Sequence, residues 1–93
     1  MEGKTIYIFY HCDIWKSTDS MGLITATTSL RKLKGILTRH IKEDKIRYIR
    51  GNTKLSRTKQ VKLFREDFAD YGESFVFNAI EFGYVKSITD GEE

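Results

Sequence analysis

Residues 5–10 read Thr-Ile-Tyr-Ile-Phe-Tyr, an apolar run in which neither face is polar. Side chains in a strand alternate between faces, so Ile6, Ile8 and Tyr10 lie on one side and Tyr7, Phe9 and His11 on the other. Both sides then need cover, which puts this strand at the centre of a sheet. A chain of 93 residues can build one core around it, burying roughly 60–65% of its unfolded surface, so a single domain is expected.

The run breaks into Tyr10-His-Cys-Asp-Ile-Trp-Lys-Ser-Thr-Asp-Ser-Met21, which holds the only tryptophan in a polar, turn-forming setting. Asp13, Ser17, Asp19 and Ser20 can each bond nearby backbone amides, so the segment can hold a defined loop outside helix or sheet. Trp15, with Lys16 beside it, has three readings. It is a lid over the sheet end, an anchor for a protein partner, or a stacking platform for a base or sugar.

Gly22 to Thr27 is rich in β-branched residues and reads as a second strand paired with the first. Thr28 or Ser29 caps a helix running to about Glu43, with Leu30, Leu33, Ile36, Leu37 and Ile41 on one face and His40 in the same apolar sector as a core or boundary residue. Lys45 to Arg50 alternates basic with apolar residues as a short strand, ended by Gly51-Asn52. Ser56 caps a second helix to about Tyr71, with Val61, Phe64, Phe68 and Tyr71 on the buried stripe, Leu63 off it, and Gly72 as the stop. Phe75 to Ala79 fits a short strand or a turn of helix, and Ile80 to Ile88 alternates as the last strand.

This order, ββαβαβ, predicts an α+β fold: a small mixed or antiparallel sheet of three or four strands with two helices packed on one face. The other face is left open. Phe75, Phe77, Phe82 and Tyr84 crowd near the end of a chain with twelve aromatic residues, so a homo-oligomer is expected to supply the missing cover.

The net charge of +3 hides an asymmetry. Residues 31–65 carry thirteen Lys or Arg against Glu43 and Asp44, while residues 66–93 carry eight acids against Lys86. Such one-sided blocks point to an anionic partner or to packing of one block on the other. The second helix has Arg57, Lys59 and Lys62 near its start and Glu66, Asp67 and Asp70 near its end, against the macrodipole at roughly 0.3–1 kcal/mol per unscreened charge. Arg47, Arg50, Lys54, Ser56 and Arg57 therefore form a candidate anion site with the free amides of that helix start. The competing reading pairs the acids of 66–70 with the basic first helix.

His11 and Cys12 point to opposite faces of a strand and cannot readily share a metal, and Cys12 reads as a buried structural thiol. No metal or cofactor is expected, no phosphate loop or catalytic motif is visible, and the chain reads as non-enzymatic. A single cysteine, no apolar run of membrane-spanning length and no signal-peptide cleavage pattern fit a cytoplasmic protein without a membrane partner.

Cys-Asp-Ile-Trp-Lys-Ser-Thr-Asp-Ser-Met after an apolar strand, with a closing Phe-Gly-Tyr-Val at 82–85 before a Glu-rich end, resembles small uncharacterised accessory proteins of tailed phages and prophages. The resemblance spans most of the length, its specific residues lie at 12–21 and 82–85, and it brings no catalytic motif. It implies an accessory protein of a group that includes inhibitors of host defence, some blocking a defence protein and others similar to sponges for nucleotide signals. Stacking on Trp15 plus the basic junction suits a phosphate-bearing nucleotide, whereas inhibition of a host protein needs only the aromatic anchor. Nucleic acid could be held only nonspecifically, since no recognition module is present.

Overall fold

The structure, a computed structural model, describes residues 4–15, 17–51 and 54–89. The elements are β1 (Thr5–His11), β2 (Gly22–Thr27), α1 (Leu30–Lys42), β3 (Arg47–Tyr48), α2 (Arg57–Asp70), α3 (Glu73–Asn78), β4 (Ile80–Glu81) and β5 (Gly83–Thr89), with one 3₁₀ turn at Thr18–Ser20. The fold is α+β, as the order of apolar runs requires. β1 is the central strand of an antiparallel sheet ordered β2-β1-β5, and β3 and β4 form a separate two-stranded ladder.

Three features depart from the sequence reading. The last strand is broken: Phe82 takes a left-handed φ of 72°, turning the chain out of the β4 ladder and into β5. The strand expected over 45–50 shrinks to Arg47–Tyr48, because β4 offers only two residues to pair with it. Of the two forms open to residues 75–79 the helix is the one taken, as α3 after Gly72 at φ 85°, so the described residues hold three α-helices where two were expected.

Ser29 and Ser56 cap α1 and α2 as expected, each side chain accepting the amide three residues on, from Lys32 and Lys59 at 3.2 Å. α1 buries Leu33, Leu37 and Ile41. α2 is rotated from the expected stripe. It buries Gln60, Phe64 and Asp67, leaves Val61, Leu63 and Phe68 partly buried against the core, and exposes Tyr71. The reason is polar. The Tyr48 backbone amide donates to Gln60 Oε1 at 3.0 Å, Gln60 Nε2 donates to the Leu55 carbonyl at 2.9 Å, and the Tyr48 hydroxyl donates to Asp67 Oδ2 at 2.6 Å. Turning α2 to present Val61 and Tyr71 would leave these buried groups unpaired, at about 1–3 kcal/mol each.

The core lies between the three-stranded sheet and the helices. Phe9 stands edge-on to His40 of α1 at 5.1 Å between centroids, and Tyr7 edge-on to Phe77 of α3 at 6.1 Å. Gly83 sits where β5 passes closest to this core. A Cβ there would meet Ile46 Cγ2 at 2.5 Å and Phe9 Cε1 at 2.6 Å, both in packed side chains. Gly83→Ala is therefore expected to cost about 1–3 kcal/mol by overpacking, read as a lower urea midpoint. An unchanged midpoint would show that Phe9 and Ile46 have room to yield.

His40 is buried and its Nδ1 has no hydrogen-bond partner among the described residues. Burial lowers its pKa below the ordinary histidine value, Lys45, Arg39 and His11 adding to the effect and Glu43 opposing it. The unfolded chain thus takes up the proton first, and stability is expected to fall as pH drops below about 6.5 towards the depressed folded value. His40→Leu should flatten this slope. Parallel slopes for parent and variant across that window would remove His40 as its source.

Candidate functional site

The loop leaving β1 is built by one carboxylate. Asp13 Oδ1 accepts the Trp15 amide at 3.1 Å and the Ser17 amide at 3.2 Å, and Oδ2 accepts the Ser17 hydroxyl at 3.2 Å. Ser20 closes the ring: its Oγ accepts the Asp13 amide at 3.0 Å and donates to the Ser17 carbonyl at 2.9 Å. The Ser17 amide foremost, with the hydroxyls and the Trp15 amide, holds the Asp13 carboxyl below the usual carboxylate range. Asp19 lies exposed in the 3₁₀ turn, and Lys16 falls outside the described residues.

This arrangement uses the side chains of Asp13, Ser17 and Ser20 within the loop and leaves the indole exposed. Trp15 is 79% exposed, so it does not cover the sheet end. The base of the loop is anchored by Cys12, whose amide and thiol both donate to the Phe82 carbonyl, at 3.2 and 3.1 Å. Cys12 is buried and His11 exposed, so the two share no site. Among the described residues no group of three or more His, Cys, Asp or Glu could hold a metal ion.

The basic junction is divided. Arg47 is clamped by Glu81, through Nε at 3.0 Å and through Nη2, and lies over the Phe82 ring at 4.6 Å. Arg50 binds Asp67 through Nε at 3.3 Å and lies over Tyr71 at 5.7 Å. Arg57 faces Asp44 at 3.7 Å in the open, and the Ser56 hydroxyl is the α2 cap. Lys54 is exposed in the turn before α2. Two of these pairs join the basic block to the acidic C-terminal segment, so packing between the blocks accounts for Arg47 and for one nitrogen of Arg50. The expected five-residue anion site is not assembled around the α2 start.

Two surfaces stand out, one of which, the open sheet face, the sequence reading expected. The first is the outer face of the three-stranded sheet. Register places Ile6 opposite Ile88, Ile8 opposite Lys86 and Tyr10 opposite Tyr84 on one side, and Ala26 and Leu23 opposite Ile8 and Tyr10 on the other. Leu23 is 64% exposed and Ile88 41%. Of the aromatic group near the C-terminus, only Tyr84 lies here; Phe77 packs on the core and Phe82 under Arg47. The second is an open cleft of about 410 Å³ lined by Arg50, Gly51, Phe75, Asn78 and Ala79. Alternation in β1 and the helix count point to the first; nothing in the linear pattern joins residues 50 and 75–79.

Compared with family models, curated proteins and solved structures, the chain matches none.

Trp15 fluorescence is expected at the emission of a water-exposed indole and open to soluble quenchers. Trp15→Ala should shift stability by no more than about 0.5 kcal/mol, as for a surface side chain. A blue-shifted, protected indole with a marked loss of stability on Trp15→Ala would return it to the core.

Proposed function

We propose that the protein is a non-enzymatic binding module that docks on a protein partner, the phage-type inhibitor among the readings of its sequence. The observation that carries this is the outer sheet face: Ile6, Ile8, Tyr10, Leu23, Ala26, Tyr84 and Ile88 form one apolar patch, with Lys86 opposite Ile8 at its middle. Helices α1 and α3 lie on the other side of the sheet, against Phe9 and Tyr7. Apolar patches of this kind, interrupted by a single charge, mark interaction surfaces.

The Trp15 loop extends the patch, since it leaves β1 at the end where Tyr10, Leu23 and Tyr84 meet. An exposed indole on a loop pinned by Asp13 and Ser20 is a rigid anchor, with little ordering left to be lost on binding. Lys86 gives the face a direction, because a partner must set a carboxylate against it to bury it well. At the α2 start the nucleotide-sequestering reading has less to draw on, since Glu81 engages Arg47 and Arg57 faces Asp44.

The test compares the parent with a Leu23→Lys/Ile88→Lys double variant. In the absence of a partner the patch is expected to cover itself, so sedimentation of the parent should exceed the monomer mass of 10.9 kDa. The double variant should run as a monomer with an unchanged melting temperature and should lose whatever protein the parent captures. Trp15→Ala should weaken that capture by about 2 kcal/mol or more. A monomeric parent that captures no protein beyond the double variant's background would sink the proposal.

A further inference from the structure

The cleft between the Arg50 turn and α3 has features that the docking face does not explain. Arg50 takes a left-handed φ of 39°, followed by Gly51 at 78°. A side chain costs about 1–2 kcal/mol in that region where glycine would cost nothing, so an arginine there is held for its guanidinium. Asp67, 1% exposed, accounts for one nitrogen: its Oδ2 takes Nε. The two terminal nitrogens make no hydrogen bond to another described residue, and the shortest contact of the carboxylate is to Nε, which orients the fork.

Beside this fork stands an aromatic ladder. The guanidinium lies over Tyr71, and the Tyr71 ring lies 5.1 Å from that of Phe75 at 44°. Phe75 is 39% exposed and lines the cleft. Asn78, exposed at the end of α3, lines it as well and carries both a donor and an acceptor. Ala79 completes the lining, and its carbonyl is already taken by the Ile49 amide at 2.9 Å, so it leaves no unmet acceptor there.

We propose that this cleft binds a planar aromatic anion of mononucleotide size, with its phosphate on the Arg50 fork, its ring on Phe75 and its polar edge at Asn78. An end-on guanidinium pairs with phosphate through two parallel N–H···O bonds, stronger and more directional than a lysine contact. An exposed phenylalanine supplies a stacking face for any base. A volume of about 410 Å³ is at the lower end for ligand sites, suiting one nucleotide unit. The site involves none of the docking-face residues, so the two proposals stand or fall separately.

Calorimetric titration with the nucleoside 5′-monophosphates, the matching nucleosides and inorganic phosphate tests it. At least one monophosphate should bind about tenfold or more tighter than its nucleoside and than phosphate, since both ends are held. Phe75→Ala and Asn78→Ala, at exposed positions, should each weaken it severalfold to tenfold with the melting temperature unchanged, and Phe75→Tyr should restore it. Arg50→Lys, which keeps the charge beside Asp67 but loses the fork, should bring the monophosphate down to the level of its nucleoside. Absence of binding by every monophosphate at low millimolar concentration would overturn the proposal. So would binding that Phe75→Ala leaves intact, or that inorganic phosphate matches.

Discussion

Everything on the helical side turns on the buried hydrogen bond from Tyr48 to Asp67. Tyr48 is fully buried on a strand only two residues long, and its hydroxyl has one acceptor, a carboxylate as buried as itself. Burial first, and the Asp67 bond and charge next, push the Tyr48 pKa far above its usual value, so the phenol stays a donor. A carboxylate in such a place must be paired, and the Arg50 guanidinium provides the counter-charge. The bonds of Gln60 and Asp67 to Tyr48 lock the rotation of α2 about its axis. The cluster contributes uniqueness more than stability, because an apolar set of the same volume could match its free energy without fixing that rotation.

This cluster also marks how far the sequence could be read. β1, β2, α1 and the serine caps follow from alternation, 3.6-residue spacing and capping chemistry, and they appear where those rules put them. The α2 stripe does not, because periodicity weighs apolar residues and is blind to an aspartate and a glutamine buried for their hydrogen bonds. The break at Phe82 was hidden for a related reason. A left-handed phenylalanine carries no signature in the pattern, and Gly83 after it looks like strand punctuation until Phe9 and Ile46 are seen against it.

The candidate sites divide along the same line. The polar loop was legible, since Asp and Ser spacing predicts side-chain bonds to amides, and Asp13 and Ser20 make them. The indole's exposure was left open by the residues and is decided by the loop's turning outward. For the arginines, the sequence shows charge and conceals which acid answers it. Arg47 and Glu81 are 34 positions apart and become neighbours only because β3 and β4 pair. The cleft was invisible for the same reason, since its cation and its ring come from segments joined by packing of α2 and α3.

The outer edge of β2 carries one more consequence. Gly22–Thr27 contains no charge and no proline, and among the described residues no strand pairs with its far side. Folded proteins usually guard such a row of free amides and carbonyls with a lysine, a bulge or a covering loop. Here the guard is a bulge: consecutive Phe9 and Tyr10 face Thr25 and Leu23, so Ile24 is the extra residue and the edge strand itself bends there. The bend at Ile24 thus interrupts the row of amides and carbonyls on which a further strand would have to pair, and this edge is guarded by backbone shape where others are guarded by charge.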